Sequence, residues 1–477
     1  MKRLLTLLLF LLPSLAAAYE VRSESLVLEF ADNGDLLQAR ACLPVCSGQP
    51  EHAIDIGGMM QGSRRVVSFT SYATEAFTLT PGMQGGVTVL TFENPDNHSQ
   101  RRWRIPAHGW KIELEASGAE RIDVGSGRAF RPSRLPGFGG LLEQPRYMTV
   151  DGNQVRVSDL DDVAPEGPVS GWAGFRNRFW TIMVHTEKPR TIQFQTGAKQ
   201  QNPGLVLPDT TGKPVKLSVY LGPLEADALR SADAALPHMM YASLWFWLRW
   251  ICQGMAWLIG HIHTWVPSWG LSIMLLSLAV SLLMRPLSLV ADRLQDRVYR
   301  TEAKLGPELK KIKQKYRGEE QSKRVLALYR KHHVHPLYSL QSLLGVMLVI
   351  PVFIGAFDML AENIWLANEP FLWIADLSRP DAVAMLPFSL PFLGGQLNLL
   401  PFVMTLLSVW ASVLHRHAAM DAAQARKHIR NLVLMALGFL LLFYTFPAGM
   451  VLYWTTNNGI SVARYGWRRG RKAKGKS

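Results

Sequence analysis

The sequence predicts a membrane protein in two parts: an exported all-β domain, then a five-helix α-helical transmembrane core with a cytoplasmic helical hairpin. Three observations predict it. Residues 21–222 alternate apolar and polar positions in short runs broken by Gly, Pro, Asn and Asp. From about residue 240 onward, long apolar runs alternate with basic loops. A short apolar leader precedes both. The 48% hydrophobic content of the 477-residue chain therefore averages two unlike parts.

The leader is "MKRLLTLLLFLLPSLAAAYE". Lys2 and Arg3 supply a basic start, residues 4–15 an apolar stretch, and Ala16, Ala17 and Ala18 a small-residue cleavage site. That is the pattern of a secretory signal peptide over residues 1–18, and it is short for a bilayer span. A retained N-terminal anchor is the alternative. Either way, residue 19 onward is expected outside the cytoplasm.

Residues 19–235 are expected to form that exported domain. "SLVLEF" ends at "ADNGD" and "VTVLTF" at "ENPDN"; "TIQFQT" and "KLSVYL" follow. Period-two alternation with turns at this density argues a β-sandwich or a barrel. Cys42 and Cys46 in "CLPVC" could close a small disulfide in an oxidising compartment or remain two free thiols. No second pair of ligands lies nearby in sequence to suggest zinc.

Residues 236–268 are dense in Trp and carry Arg249, His261 and His263. Aromatic residues gather at membrane interfaces, so a helix over about 241–264 is expected to lie along the exported surface. A full span is the alternative. The transmembrane core, 269–465, then has five apolar stretches: 270–290, 337–360, 399–414, 432–446 and 449–462. The last two are separated by a very short turn, which forces adjacent antiparallel helices.

Loop charge orients the core. Between the first and second stretches lie more than ten Lys and Arg; between the second and third only Arg379. Arg416, Arg426, Lys427 and Arg430 follow the third, and the tail 466–477 is strongly basic. The positive-inside rule places the long loop and the tail in the cytoplasm. The net charge of +14 is thereby explained without sequence-specific nucleic acid. Anionic lipid is a fitting partner for the basic loop and tail.

Within that loop, residues 291–335 alternate charge at helical spacing around Leu305, Leu309, Ile312, Tyr316, Val325 and Leu328. Gly318 divides them, predicting a helical hairpin. Arg285 is the only charge between Trp269 and Ala291. A guanidinium at mid-bilayer costs about 2.5–3.5 kcal/mol on insertion scales, so it either snorkels to an interface or serves something inside the membrane.

No catalytic constellation appears. P-loop, GxSxG, HExxH and CxxC patterns are absent. Asp358 and Glu362 fall at the outer end of the second stretch, and no acid lies mid-span where a proton-coupled transporter would want one. The expectation is no enzyme activity, no cofactor and no metal.

The C-terminal half resembles the membrane protein insertases of the YidC/Oxa1/Alb3 family. "WGLSIMLLSLAVSLLMRPLSLV", "LALYRKHHVHPL", "FLWIADLS" and "FPAGMVLYWTTNNGIS" carry the resemblance, in the family's order. The exported half is similar to the large periplasmic domain of Gram-negative members through "LVLEFADNGDLLQARACLP", "GFGG", "GWAGFRNRFW" and "VYLGP". The resemblance implies a β-supersandwich on the periplasmic side of the inner membrane. It also implies a polar groove among the five helices. That groove admits polar parts of nascent membrane proteins and releases apolar segments to lipid, in possible contact with the ribosome and a Sec-type translocon. Desolvation is the cost such a groove avoids.

The family's groove arginine aligns with Ser281, whereas Arg285 lies one turn nearer the cytoplasm. On a straight helix Ser281 would sit about 16 Å from Gly270 and Arg285 about 22 Å, within a core roughly 30 Å thick. Groove and snorkelling both stay open for Arg285. Tyr453, Trp454, Thr456 and Asn458, with Asn457, are the other groove candidates. For Thr405, Ser408 and Ser412, helix packing is the favoured role. The leader and a lengthened second stretch depart from the family and suggest a divergent paralogue. An envelope assembly factor that has lost insertion, or a small-solute transporter, are the alternatives to an insertase.

Overall fold

In the computed structural model, the alternation of residues 21–222 becomes two nine-stranded sheets. The structure describes residues 19–46, 53–57, 65–70, 76–130, 136–160, 167–195, 202–208, 210, 214–335, 338, 347, 349–414 and 422–474. The leader, residues 1–18, lies outside the described residues. The chain divides into two compact units. The first is Met1–Arg134, Gly140–Ser243 and Glu362–Ile364; the second is Leu135–Gly139, Leu244–Ala361 and Trp365–Ser477.

In the first unit, one sheet joins the early strands Tyr19–Arg22, Leu26–Phe30, Leu36–Cys42 and Val67–Thr70 to Arg121–Val124, Gly204–Leu207 and Arg190–Gln195. The other centres on Val215–Pro223, which pairs antiparallel with Trp180–Thr186 on one side and Lys111–Ser117 on the other. Val219 thus lies between Val184 and Ile112, all three buried. Lys111–Ser117 shows why alternation works: Ile112, Leu114 and Ala116 turn inward while Glu113 stays exposed.

The sheets pack face to face as a sandwich, which settles the sandwich-or-barrel question. Phe30 of the first sheet meets Trp103 and Phe92 of the second at centroid distances of 5.3 and 6.2 Å. The Trp103 indole N–H donates to Gly34 O at 3.0 Å, so its one polar atom is satisfied. Gly34 turns the chain in "ADNGD" with φ +76°, and a Cβ there would press within 3.0 Å of the Phe92 ring. Beside it Asp35 is 1% exposed. One of its oxygens accepts from Phe69 N at 3.1 Å and faces the buried Arg101 guanidinium at 3.5 Å; the other accepts from Arg65. Arg101 also stacks on Phe69 and Phe77, 4.3 Å from each centroid. Cys42 and Cys46 are joined by a disulfide with Cα atoms 5.2 Å apart. Helix α1 (Ala226–Ala232) follows, its first N–H groups capped by Glu225.

The second unit is helical. α2 (Phe246–Trp265) covers most of the expected 241–264 but begins later. It buries Leu248, Cys252, Met255 and Ile259 on one face and leaves Trp245, Trp250, Trp257 and Trp265 exposed. The continuous first span expected over 270–290 is corrected. α3 (Trp269–Leu283) stops at Met284, and α4 (Arg285–Lys315) leaves at 58° to it. Pro286 is the physical reason. It has no N–H to offer the preceding turn and its ring crowds the carbonyl four residues back, so it opens a new helix instead of continuing one.

α4 runs without interruption through the expected start of the hairpin at 291. Gly318, at φ +61°, separates it from α5 (Gly318–Lys331), which opens on Glu319 and Glu320 as the helix dipole favours. The second apolar stretch is described mainly as α6 (Ile350–Glu362); most of 337–348 lies outside the described residues. The segment read as a plain loop before the third stretch contains a β-hairpin, Ala384–Leu390 with Gly394–Leu397. α7 (Leu400–Leu414), α8 (Ala422–Phe443) and α9 (Ala448–Lys474) complete the unit. α9 carries on through the expected basic tail to Lys474. Among the described residues no single helix is long and apolar enough to cross a membrane; α3 and the start of α4 are so only as a bent pair.

Candidate functional site

α3 is set by its own sequence. The Ser268 hydroxyl caps its first turn, and Gly270, Ser272, Ile273, Leu276, Ser277 and Val280 form one buried face at helical spacing. That face meets α9. A Cβ at Gly449 would come within 3.3 Å of Ile273 Cδ1. One turn on, the Ser277 hydroxyl donates to Tyr453 O at 3.2 Å. Another turn on, Ser281 donates to Asn457 Oδ1 at 2.9 Å. The offset is 176 residues at each level, so the two helices run parallel in strict register. Small residues let the backbones approach, and hydroxyls then bridge them, as helices do where water is scarce.

Arg285 is the next step in the series 273, 277, 281. It lies where α3 has ended, and it is exposed. The depth expected from a straight helix therefore does not apply to it. A second guanidinium stands at the same end on α9: Arg464 donates to Ser461 at 3.4 Å and stacks on Tyr465.

The remaining candidates face elsewhere on α9. Asn458 donates to Met404 O of α7 at 3.3 Å. Thr456 bonds back to Leu452 O of its own helix at 2.8 Å. Trp454 enters an aromatic cluster, 4.4 Å from Phe353 and 5.8 Å from both Phe439 and Phe443. On α7, Thr405 and Ser412 bond to carbonyls one turn back, Pro401 and Ser408. Tyr453 is buried.

The structure thus joins Ser281 to α9 and aligns Arg285 beyond it, while Trp454, Thr456 and Asn458 serve other contacts. Cys42 and Cys46 belong to the first unit. Ser277 was missing from the expected set; Asn457 was in it, but not as the partner of Ser281. The shared four-residue spacing of Ser277 and Ser281 with Tyr453 and Asn457 was the available signal. Among the described residues no three His, Cys, Asp or Glu side chains gather as a metal ion would need. What this seam offers is hydrogen bonding inside an apolar bundle.

The second unit is thus a set of apolar helices held together by hydroxyl and amide contacts. Residues 261–473 match the model of the 60Kd inner membrane protein family. Over those residues the chain is similar to that family. Its relatives include membrane protein insertases YidC of Syntrophobacter fumaroxidans, 28% identical over 314 residues, and of Marinomonas sp., 29% identical over 393. These alignments cover 63% and 80% of this chain, and 54% and 64% of the relatives. The YidC of Janthinobacterium sp. is 30% identical over 58% of this chain and 47% of its own. The chain therefore spans about half to two-thirds of the length of these relatives. A crystal structure of an active YidC insertase with its first transmembrane domain resolved aligns over 95% of this chain and 92% of its own, with 17% identity and a TM-score of 0.38.

Proposed function

We propose that the chain is a membrane protein insertase and chaperone that works without an enzymatic step or a cofactor. The polar part of a nascent membrane protein enters a hydrophilic groove among the helices, and the apolar segments pass sideways into lipid. The observation that carries this reading is the seam of Ser277, Ser281, Tyr453 and Asn457 ending at the exposed Arg285. A polar backbone crossing hydrocarbon needs partners for its N–H and C=O groups, and a hydroxyl-lined seam with a cation at its mouth offers them. In this reading Arg285 and Ser281 form the groove entrance. Tyr453, Thr456 and Asn458 line or brace its wall, and Trp454 closes its apolar side.

The domain plan follows. Residues 1–18 direct export, 19–235 form the periplasmic domain, and 236–268 lie along the exported interface with Trp245, Trp250 and Trp257 toward lipid. The hairpin of α4 and α5 and the end of α9 face the cytoplasm, where their charge suits anionic lipid, a ribosome or a Sec-type partner. The leader and the lengthened second stretch favour a paralogue with few clients.

Site-specific photo-crosslinking in translating membranes tests the reading, with the probe at Ser281 and separately at Thr456. The expected result is adducts to a short nascent membrane protein, reduced severalfold by Arg285→Ala. A folded, inserted protein that captures no nascent chain at either site would leave the scaffold as an envelope assembly factor.

A further inference from the structure

The hairpin between α6 and α7 is unlike the rest of the molecule. Residues 382–414, which cover it and run through α7, contain no Asp, Glu, Lys or Arg. Its large side chains are largely open: Met385 is 72% exposed and Phe388 59%, with Val383, Leu390 and Leu397 also exposed, while the half-exposed Phe392 packs edge-on against Phe138 at 5.0 Å. The exposed apolar surface continues onto α7 through Leu399, Phe402, Leu406, Trp410 and Val413, a stripe at helical spacing. The polar groups are collected at the base. Asn398 accepts from Ala382 N at 3.0 Å and donates to Tyr444 O at 2.7 Å, and the Tyr444 hydroxyl donates to Gln396 O at 2.8 Å. Asp381 accepts from Leu399 N and Leu400 N at 2.9 and 2.8 Å, capping α7.

In water this would be a poor element. Two strands alone are marginal, and exposed edges are normally guarded by charge, which is absent here. Deep hydrocarbon suits it no better, because the outer strand edges would leave backbone groups unpaired. Pro387 and Pro391 each remove one such donor, which eases a shallow position. Between the two extremes lies the headgroup–acyl boundary, where water still reaches the edges and apolar side chains are welcome.

We infer that the Ala384–Leu397 hairpin is a lipid-docking element, seated shallowly in the exported leaflet as an extension of the lipid-facing stripe of α7. The inference rests on the helical unit lying in a bilayer in the proposed orientation; it does not depend on insertion activity.

The test uses the full chain with Cys252→Ala and the Cys42–Cys46 disulfide intact. A single Phe388→Cys carries an environment-sensitive fluorophore, in vesicles of phosphatidylethanolamine and phosphatidylglycerol. Leu406→Cys on α7 and Glu320→Cys on α5 serve as references. The expected result is a blue-shifted Phe388 probe that aqueous iodide leaves untouched. Nitroxide lipids should quench it more when the label lies near the headgroup than at the chain end. Iodide quenching equal to that at position 320, with no nitroxide effect, overturns the inference. Shielding from both quenchers also overturns it, because protein and not lipid then covers the hairpin. If the Leu406 probe is likewise untouched by nitroxide, the bilayer reading of the helical unit falls as well, which separates the two failures.

Discussion

The two units bury polar groups in different ways. The β unit encloses an ion pair, Asp35 with Arg101, and supports it with a second arginine, a backbone N–H and two aromatic faces. The helical unit buries hydroxyls and amides such as Ser277, Asn398 and Thr455, and its buried Asp381 is met by N–H groups at a helix start. The contrast teaches where each unit finds compensation for desolvation. A sheet sandwich can bring an opposite charge from a distant strand, whereas Asp381 is met by free amides at a helix start and by the Trp373 indole N–H at 3.2 Å.

Three substitutions would break or sharpen that contrast. Asp35→Ala removes the carboxylate that faces the Arg101 guanidinium, and a buried pair that loses one partner costs about 3–5 kcal/mol. Urea unfolding of the purified protein, followed by near-ultraviolet circular dichroism, should show a loss of that size. Asp381→Ala removes a cap and the acceptor of the Trp373 indole N–H, and should cost about 1–2 kcal/mol. A loss matching that of Asp35→Ala in the same assay would erase the distinction between the units. Ser281→Ala should cost least, about 0.6 kcal/mol, the average for a hydrogen bond between membrane helices. A double-mutant cycle with Asn457→Ala measures it; a coupling of several kcal/mol would mean the seam is the main clamp between α3 and α9.

Much of this architecture could be read from residue order. Period-two alternation located the strands that have one wet face, as Lys111–Ser117 illustrates, whereas Trp180–Thr186 and Gly204–Leu207 are buried on both faces. Apolar runs located α3, α7 and the α8–α9 pair. The break at Met284 was less legible, because Pro286 sits in a run whose hydropathy alone resembles an unbroken span. The hairpin was hidden for a related reason: without charges or clean alternation, residues 384–397 carry no strand pattern. Of the candidate site, Ser281 and Asn457 were both visible but their pairing was not, since a hydrogen bond between residues 176 apart leaves no local trace. Trp454 matched a family motif, yet what its ring touches is decided by Phe353, Phe439 and Phe443, which come from two other helices.

The fixed register of α3 and α9 also constrains how the chain is threaded. Two segments that traverse one bilayer in the same direction must have an odd number of crossings between them. In the membrane arrangement proposed above, α6, α7 and α8 supply the three crossings that satisfy that parity. A topology with two or four crossings in the interval would point α9 against α3, and Ser277 and Ser281 could not meet Tyr453 and Asn457 in ascending order.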